Sequence, residues 1–484
     1  MSHLVEDCLR IIFTKLQYDS NSLYSCILVN RFWCMIGVQI LWKNPYEILN
    51  NRNQYNKLFD TIIYLLPTSS KKLLNENNVV SLSIPFSTNK PLFNYISFSS
   101  KISSELICNM GLALINEVLI NSYQYQEKYK ILEQEIYKLF ISNCKNITDF
   151  NWFTTLPLYQ YPGASTFFSQ LRTLDIECNQ SLDSEKLLGM AQICQNIEIL
   201  KIWYYGRDIP GLIEFIDNQK NLQSLFLYGE GNEIKCMQLS EAIERKAVTL
   251  KQIILKKISF SPKFFPSLIN LEYLKLYYCY HSKEYKQKLQ KYLSIASFPR
   301  LQYLKVHFLP YHDVCKLIEN SHENIKEIST WSHFKEKDDS TKLFRVIAKN
   351  CPKIESLEAD IQLRNLLSGL KEIFLNCNKL RKLFLSNNEN GDVHDDEIIC
   401  DEVLNVLSNY SSKTFEEFSF NSNWYFSVNG LQNFFESWRG RKPIKFVTRF
   451  DKCRQFTEEH IKIVEKYYDE GVIDKETKYL FGVN

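Results

Sequence analysis

A short phrase, apolar-x-x-apolar-x-apolar, recurs along this chain and restricts its fold more than any other feature. It reads Leu171, Leu174 and Ile176, then Ile197, Leu200 and Ile202, then Leu222, Leu225 and Leu227. It returns at Leu250/Ile253/Leu255, Leu271/Leu274/Leu276 and Leu301/Leu304/Val306. Weaker copies stand at Ile325/Ile328, Ile354/Leu357, Leu380/Leu383/Leu385 and Phe415/Phe418/Phe420. Most steps between first positions fall between 21 and 30 residues. The fourth and sixth residues of the phrase leave the same face of an extended segment. One such unit cannot bury its apolar face alone, so neighbours must stack and share a core.

Units of this period are leucine-rich repeats. The expected fold is α/β: a curved solenoid with short parallel strands on its concave side and helices on its convex side. Helical stretches at 183–194, 237–246, 311–320, 341–350 and 397–408 return the chain between phrases. Ile136, Leu139 and Ile141, followed by Cys144 and Ile147, read as one more repeat, and Val80, Leu82 and Ile84 as a first strand. A last repeat lies near Ile444 and Phe446, and a helix from 457 would cap the array against solvent.

Composition narrows the function. A chain of 484 residues is long for one compact core, but a solenoid grows in one dimension. A net charge of +3 gives no global case for nucleic acid or membrane binding. No apolar run approaches the roughly 20 residues that span a bilayer. The first residues carry acids where a signal peptide would need a basic and then an apolar run, so the expected location is cytoplasmic or nuclear. The 14 cysteines form no C-x-x-C pair; Cys194, Cys351 and Cys377 each lie three residues before a phrase, as small buried hydrophobes would. Phosphate-loop, dinucleotide, zinc-protease and serine-elbow motifs are absent, and the histidines are scattered. Neither an enzyme nor a bound cofactor or metal is expected.

Residues 1–45 follow a different pattern. Val5, Leu9, Ile12, Phe13 and Leu16 have the spacing of one helix face. Asp19 and Asn30 stand where caps of a second and a third short helix belong, and Asn44-Pro45 ends the third. So few residues cannot cover this much apolar surface among themselves, which implies a partner-binding face. Leu4, Leu9, Ile12, Phe13 and Leu16, followed by Leu28-Val29-Asn30-Arg31-Phe32-Trp33 and then Leu41-Trp42, resemble an F-box. The family's usual Leu-Pro opening is Leu4-Val5 here. With the repeats behind it, the chain resembles the F-box/leucine-rich-repeat proteins of fungi, substrate receptors of cullin-RING (SCF) ubiquitin ligases. The resemblance implies an F-box at 1–45, a helical linker at 46–79, the solenoid at 80–456 and a terminal cap at 457–484. It implies that Leu4, Val5, Leu9, Ile12, Phe13, Leu16, Leu28, Val29, Trp33, Leu41 and Trp42 dock the ligase adaptor and, through it, cullin-RING.

The solenoid would then hold a protein substrate. Residues of each phrase that point away from the core include Trp203, Phe226, Tyr228, Tyr273, Lys275, Tyr277, Tyr303 and Lys305. Exposed aromatics with lysines suit a patch that captures an acidic protein, because interface hot spots favour Tyr and Trp. Aromatic residues also suit strands for packing alone. A repeat scaffold without a ubiquitin role is the alternative reading.

Overall fold

A computed structural model of the chain describes residues 5–47, 49, 52–80, 91–115, 122–178, 183–229, 236–257, 261–277, 283–331, 340–363, 366–387, 393–421, 423–449 and 456–475. The chain divides into two compact units, Met1–Leu222 and Gln223–Asn484.

The first unit opens with three short helices, α1 (Glu6–Lys15), α2 (Ser20–Ile27) and α3 (Arg31–Leu41). Their starts are set by the expected caps: Asp19 accepts from the Ser22 N–H at 3.1 Å and Asn30 from the Trp33 N–H at 2.9 Å. Helices α4 (Arg52–Leu65), α5 (Thr68–Glu76), α6 (Ser104–Leu114) and α7 (Tyr123–Asn143) follow. Four parallel strands pair in order, β1 (Lys101–Ile102), β2 (Asp149–Trp152), β3 (Thr173–Glu177) and β4 (Ile199–Tyr205). Between and after the later strands lie α8 (Ala164–Phe168), α9 (Ser184–Ile193) and α10 (Pro210–Asn218). Helices α9 and α10 come close because residue 211 has no side chain: the Gly211 N–H donates to the Ser184 hydroxyl at 2.7 Å.

Among the described residues, the second unit is a run of nine parallel strands with helices between most of them. Its strands are β5 (Ser224–Gly229), β6 (Gln252–Lys256), β7 (Tyr273–Tyr277), β8 (Tyr303–His307), β9 (Glu327–Trp331), β10 (Ser356–Ile361), β11 (Lys382–Asn387), β12 (Glu417–Phe420) and β13 (Lys445–Thr448). They pair consecutively and in register. The returning helices are α11 (Met237–Lys246), α12 (Lys283–Ile295), α13 (Tyr311–Glu319), α14 (Ser340–Asn350), α15 (Leu366–Asn376), α16 (Val393–Tyr410) and α17 (Val428–Ser437). A last helix, α18 (Glu458–Asp469), follows β13.

Both units are therefore built of leucine-rich-repeat-type α/β layers. The phrase explains the burial: Leu174 and Ile176, Leu225 and Leu227, Leu274 and Leu276, and Leu304 and Val306 are buried, while the residues between them face the other side of the sheet. Cys194, Cys351 and Cys377 are buried at the ends of α9, α14 and α15. Burial pushes the thiols of Cys194 and Cys377 up to about 12, as expected of small core residues.

One expected repeat is displaced. Ile136, Leu139 and Ile141 belong to α7, and the strand is β2, carried by Ile147, Phe150 and Trp152. The residues around 136 satisfy a helical period as well, since Leu132, Ile136, Leu139 and Phe140 lie on one helix face. Most of the expected strand at Val80–Ile84 lies outside the described residues, and the first described strand is β1.

Candidate docking surfaces

Helices α1–α3 enclose a small core of Leu9, Phe13, Leu23 and Ile36, against which Leu16, Cys26, Trp33, Ile40 and Leu41 pack. The Phe13 and Trp33 rings meet edge to face with centroids 5.4 Å apart. The end of α3 is fastened to the segment that leads into β1. Trp42 stacks on Tyr95 at 4.8 Å, and Lys43 O accepts from the Ser100 N–H at 3.0 Å.

This packing sorts the residues that the F-box resemblance assigns to an adaptor. Leu9 and Phe13 face inward, 1% and 0% exposed, so they hold the three helices together and present almost no surface. Trp42 is stacked against the chain itself. Leu16, Trp33 and Leu41 are partly covered by the same small core. Val5, Ile12, Leu28 and Val29 are exposed, at 66%, 44%, 67% and 58%. Leu4 lies outside the described residues. Ile11, Tyr24, Phe32 and Met35 are also exposed and were not singled out by the motif. Among the described residues, 20 large hydrophobic side chains are exposed in all, and nine of them fall between Val5 and Met35. Single exposed apolar residues are ordinary on a soluble protein, but such a concentration is not.

A second surface is the sheet face of the second unit that points away from its helices. In-register pairing aligns Phe226, Ile254, Lys275, Lys305, Ser329, Glu358 and Phe384 in one row across β5–β11. A second row runs Tyr228, Lys256, Tyr277, His307 and Trp331. A third contains Tyr273 and Tyr303, whose rings lie 5.9 Å apart. Tyr277 stacks on His307 at 4.3 Å, and the His307 ring is parallel to Trp331 at 6.2 Å.

Most charges on this face are paired. Lys305 Nζ sits 2.6 Å from Glu327. Partial burial pulls the Lys305 ammonium down, but the bond to Glu327 outweighs it and leaves the pKa raised. Arg449, just past β13, reaches Glu358 at 2.6 Å and Glu417 at 3.0 Å, with its guanidinium 4.7 Å from the Phe384 ring centre. Lys256 and Lys275 differ. Both ammoniums lie over the Tyr277 ring, at 5.2 and 5.0 Å, and neither has a carboxylate ion-pair partner among the described residues. Of the two lysines expected in the patch, Lys305 is therefore ion-paired and Lys275 is not, and Lys256, which the expected patch did not include, joins Lys275 beside the neutral Tyr277 ring.

Trp203 belongs to the first unit, where its indole N–H donates to Asp175. Burial raises the Asp175 carboxyl, and the Trp203 bond partly offsets that. Phe226 and Tyr228 are partly buried on β5. Sequence inspection passed over Trp331, Phe384 and Arg449. Phe384 had a signal, because it stands between Leu383 and Leu385 where Lys275 stands in its own repeat.

Among the described residues, no cluster of His, Cys, Asp and Glu has the arrangement to hold a metal ion, and no helix is long and apolar enough to cross a membrane. No family model matches the chain. No curated protein matches it either. Solved structures similar to it include one of the Rad7 and Elc1 complex in yeast, at 14% identity over 59% of this chain and 72% of that one, with a TM-score of 0.37. Another is the leucine-rich repeat-containing protein LegL7 from Legionella pneumophila, at 12% identity over 70% of this chain and 96% of that one, with a TM-score of 0.29.

Proposed function

We propose that this chain is a substrate-recognition subunit of an SCF-type ubiquitin ligase, in which α1–α3 form an F-box and the repeats recruit a protein. The observation that carries this reading is the concentration of exposed apolar side chains on α1–α3 and the turns beside them, on a scaffold whose own core is already closed by Leu9, Phe13, Leu23 and Ile36. Val5, Ile12, Leu28 and Val29 would contact the adaptor, with Phe32 and Met35 extending that surface. The chain itself would carry no catalysis. Its part is to raise the effective concentration of a substrate lysine near the ligase's charged conjugating enzyme. On the recruiting side, the uncompensated Lys256 and Lys275 beside Tyr277 favour an acidic segment of the substrate.

The test is co-purification with the ligase adaptor, comparing wild type with Ile12→Asp and Val29→Asp. Both side chains are exposed, so the variants should fold as wild type does and lose the adaptor. Phe13→Ala serves as a contrast that damages the small core itself. Undiminished capture by folded Ile12→Asp and Val29→Asp would reject the surface. Failure of the wild-type chain to bind any adaptor would leave a repeat scaffold without a ubiquitin role.

A further inference from the structure

The residues that enter the strands of the second unit form a charged edge distinct from the sheet face. Glu355, Arg381 and Glu416 immediately precede β10, β11 and β12. Their backbones are fixed side by side, because the Arg381 N–H donates to Glu355 O at 2.9 Å and the Glu416 N–H to Arg381 O at 2.9 Å. Lys379, Lys413 and Lys442, from the neighbouring turns, complete a groove of about 520 Å³.

Its charges do not balance. Arg381 and Lys442 both lie 2.9 Å from Glu416, so that carboxylate is shared by two cations. Lys379 and Lys413 are exposed and have no carboxylate ion-pair partner among the described residues. Four cations thus face two carboxylates, an excess of two positive charges around one opening. The Asn378 amide and the Thr414 hydroxyl line the same groove and add uncharged donors.

We propose that this groove binds the dianionic phosphate group of a phosphate monoester, either free or carried on a protein side chain. A single carboxylate would cancel only half of the excess, whereas a phosphate brings about two charges and three acceptor oxygens to one point. Lys379 and Lys413 would supply the free ammoniums, and Arg381 would turn part of its fork from Glu416 to the ligand. The groove is open to solvent, so the binding would weaken as salt rises. This inference does not depend on the F-box reading, since none of these residues belongs to α1–α3.

The experiment is calorimetric titration of the full chain with inorganic phosphate, with a phosphoserine peptide and with the same peptide unphosphorylated. Saturable binding of a phosphate-bearing probe is expected, with none of the plain peptide. Tighter binding of the phosphopeptide than of inorganic phosphate assigns the source to a modified protein, and equal binding assigns it to a free phosphate. Lys379→Glu with Lys413→Glu should weaken binding by about a hundredfold, from roughly tenfold for each lost charged hydrogen bond. The milder pair Lys379→Gln with Lys413→Gln guards against a folding effect and should still weaken it. Lys251→Glu, at the entry to β6, should leave it unchanged. Absence of saturable binding, or equal weakening by Lys251→Glu, overturns the proposal.

Discussion

Arg449 offers the sharpest test of how the second unit is held together. Its guanidinium reaches back from the end of β13 across β12 and β11 to Glu358 on β10, a contact 91 residues away in sequence. Each charge-assisted hydrogen bond is worth about 1.5–3 kcal/mol, and a cation over an aromatic ring adds about 1. The Arg449 side chain keeps 33% of its exposure, so water would replace part of what Arg449→Ala removes. We expect a net loss of about 3 kcal/mol for Arg449→Ala. Arg449→Met keeps the apolar stem over Phe384 and should lose about 2 kcal/mol. Repeat arrays open locally, so the assay is hydrogen exchange read strand by strand. A loss of 3 kcal/mol lowers protection about a hundredfold, and it should be confined to β10–β13. Pairing Arg449→Met with Glu358→Gln should recover about 1 kcal/mol relative to additivity. Protection in β10–β12 that stays within about threefold of wild type would refute the latch, as would an equal loss in β2–β4.

Two further predictions concern the first unit. Glu133 on α7 is buried, and burial raises its carboxyl from 4.5 to about 7 against the opposing hydrogen bond from Thr154 and the nearby charge of Lys130. The folded state then holds a proton that the unfolded chain has released, so stability falls as pH rises from about 4.5 and levels above about 7, by roughly 3 kcal/mol. Glu133→Gln should raise the melting temperature at pH 8 but not at pH 4, and an equal change at both would exclude titration as the cause. At Gly211 an added Cβ would stand 2.2 Å from Ser184 O, a backbone atom that cannot swing away. Gly211→Ala should therefore separate α9 from α10 and cost about 1–3 kcal/mol, measured by thermal unfolding, whereas Gly440, with nothing within 4 Å, should lose less on the same change despite its positive φ.

The repeats were legible because a leucine at the fourth and sixth positions of a phrase has only one side to be buried on. Where another period fits the same residues, that legibility fails: α7 satisfies its own helix while imitating the phrase at Ile136, and the strand at Phe150 and Trp152 stayed hidden behind it. The ends of three strands were equally silent. Tyr204, Lys257 and Phe308 each follow an outward-facing residue with a positive φ of 55°, 55° and 65°. A left-handed turn is usually announced by glycine or asparagine, and here none marks it. At the N-terminus the apolar residues were easy to find and hard to sort. Spacing alone cannot tell Phe13, which the other two helices cover, from Ile12, which they leave bare. The patch on the sheet was half legible for a related reason. Lys275 and Lys305 occupy the same position of successive phrases, but only the register reveals that Glu327 neutralises the second, while no carboxylate among the described residues pairs with the first.

Register also decides where this architecture can hold a binding site at all. Parallel strands paired without offset bring the same position of neighbouring repeats to about 4.8 Å, so a charge at one strand entry is answered or opposed by the next. The entries mostly answer: Arg172 meets Glu198 at 2.8 Å in the first unit, and Arg381 meets Glu416 at 2.9 Å in the second. Such pairs are exposed and contribute little to stability, but they leave no net field for a ligand to feel. A site must therefore lie where the alternation breaks. It breaks at Lys256 and Lys275, adjacent across β6 and β7 with a tyrosine ring beneath both, and again at Lys379 and Lys413, outside the Arg381–Glu416 pair. Lys256 and Lys275 share one tyrosine ring and Lys379 and Lys413 line one groove, so in each place like charges repel in the free protein, and an acidic partner would relieve the repulsion as it binds.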